Sequence, residues 1–140
     1  MSRILLLIAL LIPTTLYARN FNSEAEIREF TDKVMNQVAS GDLKGGFNLI
    51  SDAYTVVPKA ELEALTGQAM LQVPAMESRF GKSIGYEFLS ESRAGKSVIK
   101  FVYLQKFEKH AIVWQFIFYN PKGQWIMNSF KYSDSVLDQL

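Results

Sequence analysis

Four polar side chains able to do chemistry stand among aromatics in the last third of the chain: Tyr103, Gln105, Asn128 and Tyr132. They fall in the alternating segments "KFVYLQKF" and "QWIMNSFKY", in step with Phe101, Trp114, Phe116 and Phe130. Phenols and amides surrounded by apolar walls orient a small ligand, the walls excluding water and the few polar atoms giving direction. Tyr54, just ahead of a helix, is a fifth hydroxyl placed to join them. Each also has a plainer role. A core tyrosine reaches the rim with its hydroxyl, and Trp114 packs more readily than it stacks on a ligand. A buried amide at Asn128 must pair with protein atoms or meet a wet cavity, and protein pairing is the favoured reading. The candidate pocket is therefore Tyr54, Tyr103, Gln105, Trp114, Phe116, Asn128, Phe130 and Tyr132.

Acid–base chemistry has little to work with. The only histidine, His110, falls in a hairpin beside Glu108 and Lys109, the place of an exposed turn residue. No aspartate lies within the strand segments, Asp134 and Asp138 coming after them, and Glu87 is the one carboxylate that could point inward as an acid or base. A general base must reach the proton it removes, so a non-enzymatic reading is favoured. The chain contains no cysteine, which excludes disulfides, thiolate chemistry and lipid attachment at a cysteine. With a single histidine and no clustered inward carboxylates, no metal and no cofactor is expected. The two "GKS" tripeptides lack the full phosphate loop between strand and helix. Lys and Arg total 15 against 14 Asp and Glu, without a basic run, so nucleic acid is not an expected partner.

The elements that must position these residues come in two blocks. Ser23 and Glu26 have capping-box spacing, and Ile27, Phe30, Val34 and Val38 follow as one helical stripe that Gly41 stops. Asp42 can cap a second, shorter helix through "LKGGFNLISD". Pro58 suits the first position of a third helix, through "KAELEALTGQAMLQVPAMESRF", which Pro74 should kink or divide and Gly81 ends. Beyond Gly81 the period becomes alternating, predicting antiparallel strands at Ile84–Glu91, Val98–Phe107, His110–Tyr119 and Gln124–Tyr132.

A three-residue "NPKG" hairpin pairs Asn120 with Gln124. It puts Ile112, Trp114, Phe116 and Phe118 on one face with Ile126, Asn128, Phe130 and Tyr132. A two-residue turn at Glu108–Lys109 adds Ile99, Phe101, Tyr103 and Gln105. The helices are the available cover for this aromatic face. The opposite face collects Val113, Ile117, Trp125 and Met127, more apolar surface than a solvated face ordinarily carries. That predicts a homodimer interface or cover by the C-terminal "SDSVLDQL", with Trp114 and Trp125 on opposite faces. In the first strand two registers compete: one turns Glu87 inward, the other turns Tyr86 and Phe88 inward. The second is preferred because it buries no carboxylate.

Helices followed by a curved antiparallel sheet with one aromatic face resembles the cone-shaped domains of the nuclear transport factor 2-like superfamily. The resemblance covers roughly Glu24 to Leu140 and rests on "GKSIGYEFLSESRAGKSVIKFVYLQKFEKHAIVWQFIFYNPKGQWIMNSF". It implies an α+β cone of the small secreted bacterial kind. It also brings the superfamily's isomerases and dehydratases into view, whose enzymes place an Asp, alone or with His or Tyr, inside the cone.

Residues 1–18, "MSRILLLIALLIPTTLYA", have the form of a secretory signal: Arg3, the apolar run Ile4 to Ile12, then Pro13 and small or polar residues up to Ala18. The run is too short to span a bilayer. The expected organisation is a signal peptide at 1–18 and one domain over 19–140, exported to the periplasm or outside, without a stable membrane anchor once processed. The expected function is a non-enzymatic binding or interaction module for a small apolar or amphipathic molecule, or for a protein. The alternative is an isomerase- or dehydratase-like enzyme using polar residues inside the cone.

Overall fold

The computed structural model describes residues 19–140; the signal expected at 1–18 lies outside the described residues. Three helices come first, α1 (Glu24–Ala39), α2 (Leu43–Ala53) and α3 (Lys59–Phe80), followed by β1 (Ser83–Ala94), β2 (Val98–Phe107), β3 (Ala111–Tyr119) and β4 (Ile126–Ser133). The strands form one antiparallel sheet in the order β1-β2-β3-β4, open at β1 and β4. The architecture is α+β. None of the described helices is long and apolar enough to cross a membrane.

Local chemistry sets the helix ends. Ser23 Oγ accepts from Glu26 N at 3.2 Å, satisfying a donor that the first turn of α1 leaves free, while Glu26 Oε2 accepts from Asn22 N at 2.8 Å just ahead of the helix. Asp42 Oδ1 accepts from Gly45 N at 2.8 Å and opens α2. Pro58 is the residue that caps α3, one position earlier than the sequence suggests. α3 is not divided at Pro74: it continues to Phe80. The carbonyl that Pro74 cannot bond is that of Met70, on an exposed turn where water can take its place.

Ile27, Phe30, Val34, Met35 and Val38 of α1, with Phe47 and Ile50 of α2, bury against Ile99, Phe101, Tyr103, Trp114, Phe116 and Phe118 of the sheet. The hairpin between β2 and β3 closes as expected, Phe107 N bonding His110 O at 2.9 Å and Phe101 facing Phe116. At β1, Ala94 opposes Val98 across a three-residue loop that begins at Gly95, φ +61°. Leu89 is an extra residue between Phe88 and Ser90. Loop and bulge together leave Tyr86 and Phe88 packed against the core and Glu87 exposed, the preferred register reached by a different turn.

The last hairpin corrects the expected register and the faces of four residues. Tyr119 opposes Ile126 and Phe118 opposes Met127, one residue out of the expected register, and between Phe118–Met127 and Ile117–Ser129 the pairing shifts again, so that Phe116 opposes Phe130. Asn128 is the extra residue of this bulge, and it is exposed rather than inside. Because side chains alternate, a one-residue slip exchanges the faces. Ahead of the bulge Trp125 and Met127 turn into the core, at 6% and 1% exposure, so Trp114 and Trp125 share the covered side. Trp125 is held there by a two-way backbone bridge with Phe21, 2.8 Å in each direction. Ile126, expected inside, opposes Tyr119 on the other face. That outer face keeps Val113 and Ile117, with the short C-terminal turn Val136–Asp138 against β3 and Gln139 O accepting from Gln115 Nε2 at 3.1 Å.

Candidate functional site

The middle of the covered sheet face is filled. Tyr103, Trp114 and Phe116 are each at most 1% exposed and lie in one packed cluster with Phe101 and Phe118. Trp114 stacks on Tyr132 at 4.7 Å between ring centres and meets Phe47 edge-on at 6.1 Å. Phe116 sits edge-on to Tyr103 at 5.9 Å. Such ring pairs add stability beyond the area they bury.

Gln105 is buried and fully engaged. Its Oε1 accepts from Trp114 Nε1 at 3.1 Å, and its Nε2 faces Val38 O and Ser83 Oγ, each at 3.4 Å. The Tyr103 hydroxyl lies 2.7 Å from Thr31 Oγ1 and donates to Asp32 Oδ1 at 2.8 Å. Asp32 also pairs with Arg28 at 3.2 Å, and the Arg28 guanidinium lies 3.4 Å above the Phe88 ring. Burial first of all, with the Asp32 bond and charge adding, pushes the Tyr103 hydroxyl well above its ordinary value against the lowering effects of Thr31 and Arg28. Tyr86, beside the same group, is also raised, by burial and then by Asp32. A phenol held neutral between a hydroxyl and a carboxylate fastens α1 to β2.

Asp32 is the polar partner the sequence reading lacked. It lies on none of the strands but on α1, the helix that covers them. A signal existed: Thr31 falls one turn after Ile27 on the apolar stripe, and Arg28 and Asp32 have the four-residue spacing of a helical ion pair.

The structure brings together Tyr103, Gln105, Trp114 and Phe116 as core. It separates Asn128, which faces solvent, and Glu87, exposed on β1. The remaining three candidates meet at the edge of the filled region. Tyr54, Phe130 and Tyr132 line an open cleft of about 550 Å³ between β4 and the start of α3, closed by Val57, Glu61, Leu62, Leu65 and Lys131. Tyr54 meets Phe130 edge-on at 5.8 Å, and Phe47 backs both Phe130 and Tyr132 at 5.9 Å. Burial raises the Tyr132 hydroxyl above its ordinary value, so it stays a neutral donor. Leu62 and Leu65 are not evident from the sequence, because the period of α3 does not reveal which side meets β4, and Val57 lies in the turn before that helix.

His110 packs at a tilt of 46° against Phe80, 4.5 Å between ring centres, and its Nε2 lies 3.1 Å from Asp134 O. No group of three or more metal-ligating side chains occurs among the described residues. No family model, no curated protein and no solved structure matches this chain.

Proposed function

We propose that the protein is an exported, non-enzymatic binding module whose ligand is a small amphipathic molecule held in the cleft of Tyr54, Phe130 and Tyr132. The observation that carries this reading is the cleft itself: about 550 Å³ of space beside a filled interior, walled by three aromatic rings and Val57, Leu62 and Leu65, with charges only from Glu61 and Lys131. Apolar walls bury the body of such a ligand, and the tyrosine hydroxyls and the two charges orient its polar end. Export rests on the signal-like form of residues 1–18. Helices ahead of a four-stranded antiparallel sheet with an aromatic inner side support kinship with the nuclear transport factor 2-like cones. The half-buried Ile117 and exposed Tyr119 on the outer face support a homodimer.

The alternative, an isomerase- or dehydratase-like enzyme, would have to use Asp32 and Tyr103, the carboxylate–phenol pair that the hydrogen bonds among the described residues show against the core. Tyr103 is fully buried and its hydroxyl already has two partners, so a substrate has no place beside it. This favours binding over catalysis. Mass spectrometry of the natively purified protein tests the reading. A co-purifying amphipathic molecule that Phe130→Ala and Tyr132→Ala reduce is the expected result. An empty spectrum, or a ligand that both variants retain in full, overturns it.

A further inference from the structure

α3 is held unevenly along its length. Its last turn is fixed to the β2–β3 hairpin: Phe80 O accepts from Lys109 N at 2.9 Å, and the buried Phe80 ring lies 5.7 Å from Phe107 and 4.5 Å from His110 between centres. Just beyond, Lys82 N donates to Glu108 Oε2 and Lys82 O accepts from Glu108 N, each at 3.0 Å. Ala69, at 3% exposure, belongs to the same core cluster as Phe80.

Ahead of Ala69 the hold is slight. Among the described residues of that part of α3, Leu62 alone is buried, and it is not a member of the core cluster. On the α2 side, Lys59, Glu63 and Thr66 border an open polar groove of about 810 Å³, where closely packed helices would interdigitate apolar side chains. On the β4 side, Glu61, Leu62 and Leu65 border the cleft of Tyr54, Phe130 and Tyr132. Among the described residues, no backbone hydrogen bond ties 55–57 to another element.

Gly67 stands between the two parts. Glycine inside a helix leaves the backbone freer and the helix weaker than other residues do. A Cβ built on it would meet nothing within 4 Å, so no packing requires its absence. A turn further on, Pro74 deprives the Met70 carbonyl of its helical partner. All three α3 residues of the cleft precede Gly67, on the loosely held side.

We propose that Lys59–Thr66 is a lid over the cleft, hinged at Gly67, which lifts to admit the ligand and closes on it. The inference rests on the reading of that cleft as the ligand site. Segments with few buried apolar contacts open first, and here the segment with the fewest carries one wall of the site. Lifting it turns Leu62 out and uncovers Phe130 and Tyr132. Closing it lays Leu62 and the half-buried Leu65 over the ligand's apolar body.

The chain has no cysteine, so an introduced thiol reports its own exposure. Leu62→Cys and Ala69→Cys place thiols at buried positions on either side of Gly67, and Ala53→Cys, buried in α2, reports opening of the rest of the domain. With dithionitrobenzoate in excess, Leu62→Cys should react roughly tenfold faster than the other two. Adding Gly67→Ala should slow it about fivefold, the equivalent of removing one helix glycine. Equal rates at Leu62 and Ala69 would mean that α3 opens only with the whole domain. A fast rate that Gly67→Ala leaves unchanged would mean that the helix end melts without a hinge. Either result overturns the proposal. Anilinonaphthalene sulfonate, an aromatic amphiphile, probes entry: its fluorescence rise should be slower in Gly67→Ala, and an unchanged rate overturns the lid. No rise in either protein, or a rise that Tyr132→Ala leaves whole, overturns the cleft as the ligand site, while the thiol rates decide the hinge separately.

Discussion

The Trp114 indole N–H donates to Gln105 Oε1 at 3.1 Å, and this bond joins neighbouring strands β2 and β3 beneath α1. Gln105 opposes Ile112 rather than Trp114, so the contact is diagonal across the covered face. Its amide nitrogen turns toward Val38 O and Ser83 Oγ. One buried amide thereby serves helix, edge strand and core ring together.

Gln105→Leu keeps the approximate size of the side chain and removes the partner of a buried indole. Leaving such a donor unpaired costs about 1–3 kcal/mol. Denaturant unfolding should show that loss with an unchanged slope, and a change near zero would mean that the indole finds another partner.

Tyr103→Phe should cost about 1–2 kcal/mol for two lost bonds at a buried hydroxyl. It should also change the response to alkali. The folded protein holds the Tyr103 proton more tightly than the unfolded chain does. The resulting stability is fully present below the ordinary tyrosine value, about pH 10, and is lost as pH rises above it. Tyr86 and Tyr132 act in the same direction. Unfolding measured from neutral pH upward should fall off less steeply in the variant, and parallel curves would remove Tyr103 from the account.

At Asn128, substitution and deletion should part company. Asn128→Ala alters an exposed bulge residue and should move stability by no more than about 0.5 kcal/mol. Deleting Asn128 removes the extra residue and turns either Trp125 and Met127 or Phe130 and Tyr132 away from the core. Losing two large buried side chains costs on the order of 5 kcal/mol, enough to unfold a domain of this size. Circular dichroism of the two variants reads the difference directly.

Gly46 and Gly67 should respond oppositely to alanine. A Cβ on Gly46 would lie 2.5 Å from Val38 Cγ2, where α2 crosses α1. Overpacking of that kind costs typically about 1–3 kcal/mol, against which the helix gains roughly 1 kcal/mol from losing a glycine. Gly67→Ala meets open space and should keep the whole gain of about 1 kcal/mol. Thermal midpoints moving in the same direction would contradict the α1–α2 packing.

Much of the fold is legible residue by residue. Ser23, Asp42 and Gly81 mark element ends because caps and stops act within a few residues of chain. The stripe Ile27, Phe30, Val34 and Val38 marks the buried side of α1 because helical period is local. Alternation in "VIKFVYLQKF" and "AIVWQFIFY" predicts the covered face of β2 and β3, and the two-residue turn between them preserves the register. The same alternation misassigns Trp125, Met127 and Asn128, since "QWIMNSFKY" is apolar at both parities before Asn128 and cannot say which set turns inward. Tertiary structure decides that: the Phe21 bridge pins Trp125 under α1, and the bulge at Asn128 restores Phe130 and Tyr132 to the same side.

The site divides in the same way. Sequence alone determined which polar residues accompany the aromatics, and excluded thiolate chemistry by composition. Whether those residues face a cavity depended on what lies above them. α1 and α2 supply Thr31, Asp32, Val38 and Phe47, which fill the centre and occupy Tyr103 and Gln105. α3 has little apolar pattern and buries only Leu62, Ala69 and Phe80. It therefore leaves open the cleft at Tyr54, Phe130 and Tyr132 on one side and the polar groove on the other. A side chain's chemistry is carried by its own residue, but a cavity is space left between elements distant in the chain, and only their packing creates it.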